Sequence, residues 1–356
     1  MSEWNPNKPN NGLKSLPPSG FLLNERHQGL LLEVVELLGR LDEAADLLAN
    51  PSVFNNALPM LEVAASSRIE NIITTHDEMF VADVSSTQPI GADTKLAMRN
   101  RAALALGFEA LSKRPLTVPL LVELASELLG YQVDFRNLPG TFIGSANERV
   151  YTPPEGKVLL EGLLQDLVRF VAESDLHVVL VMVFAHYQFE AIHPFPDGNG
   201  RTGRVLNHLI LKGGGVLKSP VLNLSSYLVR HRDEYYQRLH DVEASSDWDG
   251  WVEFMLVAMS VSVKESYSKL KDLTLAQLLM TERCAVDAGK FGSELVQLLF
   301  EKPYCQIGHV VERLGISRPT ASKLLERLVD SGELTSLVSG KEKFFVNSKM
   351  LEVLAK

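Results

Sequence analysis

From Asn24 onward apolar residues recur at three- and four-residue spacing through "ERHQGLLLEVVELLGRLDEAADLL", which predicts a long amphipathic helix. "NPSVFNN" (50–56) breaks that pattern, and the spacing predicts a second helix over 57–79. Its apolar stripe is Leu61, Ala65, Ile69, Ile72 and Ile73, interrupted by Ser66, Glu70 and Asn71. "VADVSSTQPIGADT" reads as a loop. Further helices are predicted at 94–112, 117–129, 157–172, 175–190, 201–213, 221–241 and about 250–283. Within 138–156, "TFIG" and "RVYT" flank a polar turn and predict a small hairpin over 140–151. Strand-length segments are otherwise almost absent before residue 288, so the main body is mainly α.

The pattern changes near residue 289. "IGHVVERLGISRPTASKLLERLVDSG" reads as helix, glycine turn, helix, with Ser317 capping the second helix and Pro319 in its first turn. "ELTSLVSGKEKFFV" follows as two strands joined at "SGKE", completing a winged helix-turn-helix pattern. The organisation expected is an N-terminal helical region (1–93), a helical core (94–288) and a winged helix-turn-helix tail (289–356) with its own apolar pattern.

The totals narrow the class. A chain of 356 residues that is 46% apolar suits a globular protein of about two or three domains. A net charge of −9 gives no whole-chain attraction to nucleic acid or anionic membrane. The two cysteines, Cys284 and Cys305, form neither a disulfide framework nor a zinc pattern and suit a reducing cytoplasm. The longest apolar run, Val178 to Ala185, is far short of the roughly 20 residues of a membrane span.

The chemistry concentrates in "HPFPDGNGRTGR", residues 193–204. Pro194 and Pro196 force the chain to turn after a helix. Gly198 and Gly200, with Asn199 between them, can aim successive N–H groups at one point, and such a nest at a helix start binds anions. Arg201 and Arg204 project from one helical face toward the same anion. Asp197 would repel a phosphate by itself and makes sense with a magnesium ion between them. His193 is suited to take a proton from an attacking hydroxyl. Taken singly, each piece has an ordinary explanation: a structural histidine, a plain turn, a solvated helix face. The ordered combination is what is specific, and it is not a Walker A loop.

At these residues the chain resembles the Fic family, whose signature H-x-F-x-[DE]-G-N-G-R-x-x-R is matched at every fixed position by 193–204. The resemblance extends over about 95–265, the hairpin, the N-terminal helices and the tail found in many bacterial members. It implies a Fic-type helical bundle that transfers AMP from ATP to a hydroxyl side chain of a target protein. His193 would be the general base and Asp197 the Mg²⁺ ligand. Gly198, Asn199 and Gly200 would form the nest, with Arg201, Thr202, Gly203 and Arg204 completing the nucleotide-binding set. Phe195 would anchor the loop. Tyr235 and Tyr236 stand where relatives supply adenine contacts, although aromatic pairs on such a helix are usually core. Trp248 and Trp251 read as packing. The 140–151 hairpin would be the flap along which a target protein docks. "SSRIEN" (66–71) fits the [ST]-x-x-x-E-[GN] pattern of self-inhibited members, in which Glu70 would pair with Arg204.

Two other functions remain open from sequence: a DNA-binding regulator using the core as a nucleotide sensor, and a hydrolase removing AMP from a modified protein. Residues 291–356 hold nine Lys/Arg and eight Asp/Glu, so the tail is about neutral. Arg318, Lys323 and Arg327 on its second helix, with Lys341 and Lys343 on the wing, could touch phosphates. Protein docking or self-association into a homodimer is the preferred use of the tail. No membrane partner is expected, and a cytoplasmic location is.

Overall fold

A computed structural model describes residues 5–46, 52–85, 87–145 and 148–355. At its centre lies α7 (Val178–Ile192), the run "VVLVMVFAHYQFEAI", buried at nearly every position. A helix apolar all round belongs in the middle of a bundle. α8 (Asn199–Gly213) returns against it, and α6 (Lys157–Glu173) packs on it. α4 (Ala92–Leu111) and α5 (Val118–Leu129) pack together and against α8. The long α11 (Trp248–Ala288) runs beside α1 (Glu25–Asp46), where Arg26 meets Glu253 at 2.5 Å and Lys264 meets Glu33. Trp251, fully buried, donates its indole N–H to the Val183 carbonyl at 3.0 Å and so ties α11 to α7.

The helix expected over 57–79 is two helices. α2 (Ser52–Ile69) begins inside the stretch expected as a break, and it stops at Ile69. α3 (His76–Val84) starts afresh after a turn. Asn71 adopts a left-handed φ of 59°, which ends the first helix. Thr75 caps the second: its hydroxyl accepts the Glu78 N–H at 3.1 Å, and Glu78 Oε2 accepts the Thr75 N–H at 2.8 Å. This reciprocal box was present in the sequence as T-x-x-E, and the apolar spacing across it concealed the break. Ile73, counted in the apolar stripe, consequently lies exposed beyond α2. From Ala57 to Ser67 every position of α2 is buried, so this is an interior helix and not a surface one.

The helix expected over 221–241 likewise divides at His231, into α9 (Leu224–Arg230) and α10 (Arg232–Ser245). The hairpin forms from β1 (Ile143–Ser145) and β2 (Glu148–Tyr151), antiparallel, with Ile143 opposite Tyr151 and a bulge after Ile143. The tip, 146–147, lies outside the described residues.

In the tail, α13 (Ile307–Leu314) turns at left-handed Gly315 into α14 (Arg318–Asp330), whose Ser317 cap accepts the Thr320 N–H at 3.4 Å. β4 (Thr335–Ser339) and β5 (Glu342–Val346) pair antiparallel where a wing is expected, and an unforeseen short strand, β3 (Tyr304–Cys305), adds to β5 on the other side. The tail is not held at arm's length. α12 (Gly292–Glu301) packs on α2 and α11, Ser85 donates to Glu342 at 2.5 Å, and Gln88 donates to the Ser339 carbonyl at 2.7 Å. Cys284 and Cys305 are buried and not joined in a disulfide. Among the described residues no helix is long and apolar enough to cross a membrane.

Candidate active site

The motif loop is held from below. α7 ends at His193, whose left-handed φ of 48° turns the chain into Pro194. Phe195 is fully buried and stacks on Phe135 with ring centroids 6.0 Å apart. The Asn199 side chain accepts the Phe195 N–H and donates to the Phe195 carbonyl, both at 2.8 Å, closing the loop like a staple. Asn199 thus ties the loop together with its side chain turned inward. Arg136, which sequence reading did not single out, donates to the carbonyls of His193 (2.5 Å), Ile192 (3.2 Å) and Pro154 (2.9 Å). Nothing local in the sequence marks it, because its partners lie 18 to 57 residues away.

Gly198 precedes α8 with a left-handed φ of 71°, and a Cβ there would meet Leu128 at 2.8 Å. Glycine is required on both counts. No side chain caps α8, so its first N–H groups lack a side-chain cap, and Asn199, Gly200 and Arg201 of that first turn line the cavity. Thr202 turns away, its hydroxyl bonded to the Gly198 carbonyl at 2.9 Å, and Gly203 lies against Phe189 and Glu190. These two support α8 from inside and do not line the cavity, whereas Gly198, Asn199, Gly200, Arg201 and Arg204 do.

That cavity has a volume of about 790 Å³ and runs from the α8 start past His193 to α10 and the hairpin. Glu70 stands at its α8 end. Glu70 Oε2 accepts from Arg201 Nε at 2.6 Å, and Oε1 accepts from Arg204 at 2.9 Å. Sequence reading gave Glu70 one partner, Arg204; the carboxylate takes both arginines. Arg204 is further held by α2: it donates to the Ser66 hydroxyl at 2.8 Å and to the Ser66 carbonyl at 3.0 Å. Burial works to raise the Glu70 pKa, but the Arg204 and Arg201 charges outweigh it and hold the carboxyl below its ordinary value.

The His193 imidazole is brought down to about 4 by burial and by the Arg136 charge, so it is neutral and free to accept a proton near pH 7. Three residues earlier on α7, Glu190 is raised to about 7 by burial, which the Arg204 charge only partly offsets; one of its oxygens has no hydrogen-bond partner. Glu190 reaches the cavity wall and was not foreseen from sequence. Asp197 lies at the mouth, 71% exposed, with Oδ1 accepting the Gly198 N–H at 2.7 Å. Among the described residues no group of three potential metal ligands occurs. One exposed carboxylate beside an anion nest does suit a magnesium ion that takes its other oxygens from phosphates and water.

Tyr235 and Tyr236 both reach the wall of the cavity. Tyr235 is buried with its hydroxyl 2.9 Å from His186 Nε2, so its polar end is already engaged. Tyr236 is 41% exposed, with the Arg232 guanidinium 5.7 Å over its ring.

Comparison with known proteins agrees with this geometry. Residues 115–211 match the Fic/DOC family, 31–109 match the Fic/DOC family N-terminal region, and 280–350 match the C-terminal domain of SoFic-like protein adenylyltransferases. A probable protein adenylyltransferase of Aquifex aeolicus is 35% identical over 94 residues, 26% of this chain and 27% of that protein. The protein adenylyltransferase Fic of Nematostella vectensis is 25% identical over 223 residues, 58% of this chain and 50% of that one. The chain thus spans between about a quarter and a half of these relatives. A Fic family protein from Desulfovibrio desulfuricans has the same fold, with a TM-score of 0.58 at 21% identity over 93% of this chain and 98% of that one. A Fic domain containing signaling protein from Bacteroides thetaiotaomicron superposes with a TM-score of 0.54 at 18% identity, covering 69% of this chain and 97% of that one. With the full 193–204 signature in place and matched segments reaching from residue 31 to residue 350, the chain belongs to the Fic/DOC family.

Proposed function

We propose that this chain is a protein adenylyltransferase that moves AMP from ATP to a Ser, Thr or Tyr hydroxyl of a target protein, itself included, and that Glu70 holds it inhibited. The carrying observation is the Glu70 carboxylate bridging Arg201 and Arg204 over the open start of α8, inside the cavity that holds a neutral His193. A site built for anions is thereby filled by the protein's own carboxylate. The names of the curated relatives support the same reaction class.

In this reading the target oxygen attacks the α-phosphorus of ATP, the bond from that phosphorus to the β-phosphate oxygen breaks, and pyrophosphate leaves. His193 takes the hydroxyl proton. The α8 N–H groups and Arg201 bind phosphate oxygens, and Arg204 holds the γ end once Glu70 has released it. Asp197 would hold a magnesium ion, which when bound supplies charge neutralisation across the phosphates. The β1–β2 hairpin, with Phe142 and Val150 exposed, offers an edge to which an extended target segment can add.

The test is transfer of label from α-labelled ATP to lysate proteins and to the chain itself. Glu70→Gly is expected to label strongly, and Glu70→Gly combined with His193→Ala not at all. Labelling that survives the loss of His193, or no labelling by a folded Glu70→Gly protein, would overturn the reading.

A further inference from the structure

We propose that α11 carries a self-recognition face, Lys271–Leu275–Leu278–Glu282, through which two copies of this chain pair antiparallel. Steps of four, three and four residues keep these positions within about 60° of one another around a helix. Leu273, Met280 and Cys284 are buried on the opposite side, so this stripe points outward. Leu275 and Leu278 are 55% and 56% exposed, and Leu279 beside them is 40% exposed. Three large leucines on one exposed turn and a half of helix are an apolar face without a cover among the described residues.

The charges at the two ends of the stripe choose its occupant. Lys271 closes one end, its ammonium 5.6 Å over the Tyr267 ring, and Glu282 closes the other. In an antiparallel pair centred between residues 276 and 277, Leu275 meets the partner's Leu278, and Lys271 meets the partner's Glu282. The same contacts repeat by two-fold symmetry, as an isologous interface requires. A parallel pair would set lysine against lysine and glutamate against glutamate. The stripe is thus complementary to itself in one orientation only. Arg283, the next cation along, is already engaged by Glu333 of the tail at 2.6 Å and leaves the stripe to Lys271 and Glu282. The face spans about 16 Å of helix, small for an interface, so the dimer is expected to dissociate in the micromolar range.

Sedimentation velocity of the full chain between about 1 and 200 μM tests this. Wild type should pass from monomer to dimer across that range. Leu278→Glu should raise the dissociation constant by at least about thirtyfold, as loss of a central apolar anchor does, with unchanged helical circular dichroism. Lys271→Glu and Glu282→Lys should each weaken pairing about tenfold, and the two together should restore it. The proposal is overturned by a wild-type monomer at the highest concentration, by a dimer unaffected by Leu278→Glu, or by a charge-swapped double variant no tighter than either single one.

Discussion

Glu70 and Gly200 meet so closely that a Cβ on Gly200 would lie 2.6 Å from Glu70 Oε1. The carboxylate therefore lies against the first turn of α8, and a phosphate approaching that turn must displace it. Displacement also breaks the bonds to Arg201 and Arg204. A hydrogen bond between charged partners contributes about 1.5–3 kcal/mol, which corresponds to roughly one to two orders of magnitude in the productive ATP pose. Glu70→Gly is expected to raise AMP transfer by that factor, with a larger effect on rate than on nucleotide affinity. Adding Arg204→Ala should remove the gain, because the released arginine is what the first substitution provides. Initial rates of label transfer from α-labelled ATP for the three proteins decide it; equal rates for wild type and a folded Glu70→Gly variant would return Glu70 to a structural role.

The motif was legible in the sequence because its parts are contiguous: turn, nest and arginine face follow one another between His193 and Arg204. The pairing of Glu70 was legible only in half, since a short pattern can name one partner but cannot show that the turn after Ile69 swings the carboxylate between two guanidinium groups. Arg136 was not legible at all, because its role exists only once the 152–154 segment and the end of α7 are brought together. Thr202 and Gly203 show the opposite case. They lie inside the signature, yet one bonds backward into α8 and the other receives α7, so motif membership alone did not separate wall from support.

Asn199 gives a test of the loop. Its amide both accepts from and donates to the Phe195 backbone, and the residue is buried. Asn199→Asp keeps the acceptor but loses the donor, leaving the Phe195 carbonyl facing a carboxylate. The expected loss of stability is about 1–3 kcal/mol, together with weakened nucleotide binding as the nest opens. Denaturant unfolding measures the first and ATP titration the second; unaltered values for both would mean the loop is held by Phe195 and Arg136 alone.

The acidity of His193 predicts the pH profile. An imidazole with an ordinary pKa of 6.5 would lose its basic form below neutrality, but burial and Arg136 bring His193 to about 4. Glu70 and Asp197 act in the raising direction there, so removing Glu70 lowers the value further. In the Glu70→Gly protein, kcat/KM, which reports the free enzyme, should therefore show no downward limb from this histidine between pH 5 and 7. A limb with a midpoint near 6.5 that disappears on changing His193 would contradict the lowering by desolvation and Arg136. Arg136→Gln should move the His193 value upward, since one of the charges opposing protonation is gone.

Release of Glu70 need not involve the departure of α2. From Ala57 to Ser67 the helix is buried at every position, between the core and α12 of the tail. Glu62, two turns before Glu70, is itself buried and accepts the Ser225 N–H at 2.9 Å and its hydroxyl at 2.5 Å, with His208 3.3 Å away. Withdrawing such a helix would expose its apolar surface at roughly 25 cal/mol per Å² and strand a buried carboxylate, far above what ATP binding offers. The turn at 70–75 is a different matter. It is short and has a left-handed residue at Asn71, with Glu70 at its start and exposed Ile73 within it. Activation is therefore expected to reorganise 70–75 while α2 stays seated. Hydrogen exchange with and without ATP tests this directly: amides of 57–67 should keep the protection of the core in both states, and those of 70–75 should exchange faster when ATP is bound. Loss of protection along 57–67 on adding ATP would show that the whole helix leaves, and the interior packing of α2 would then have been overcome by the ligand.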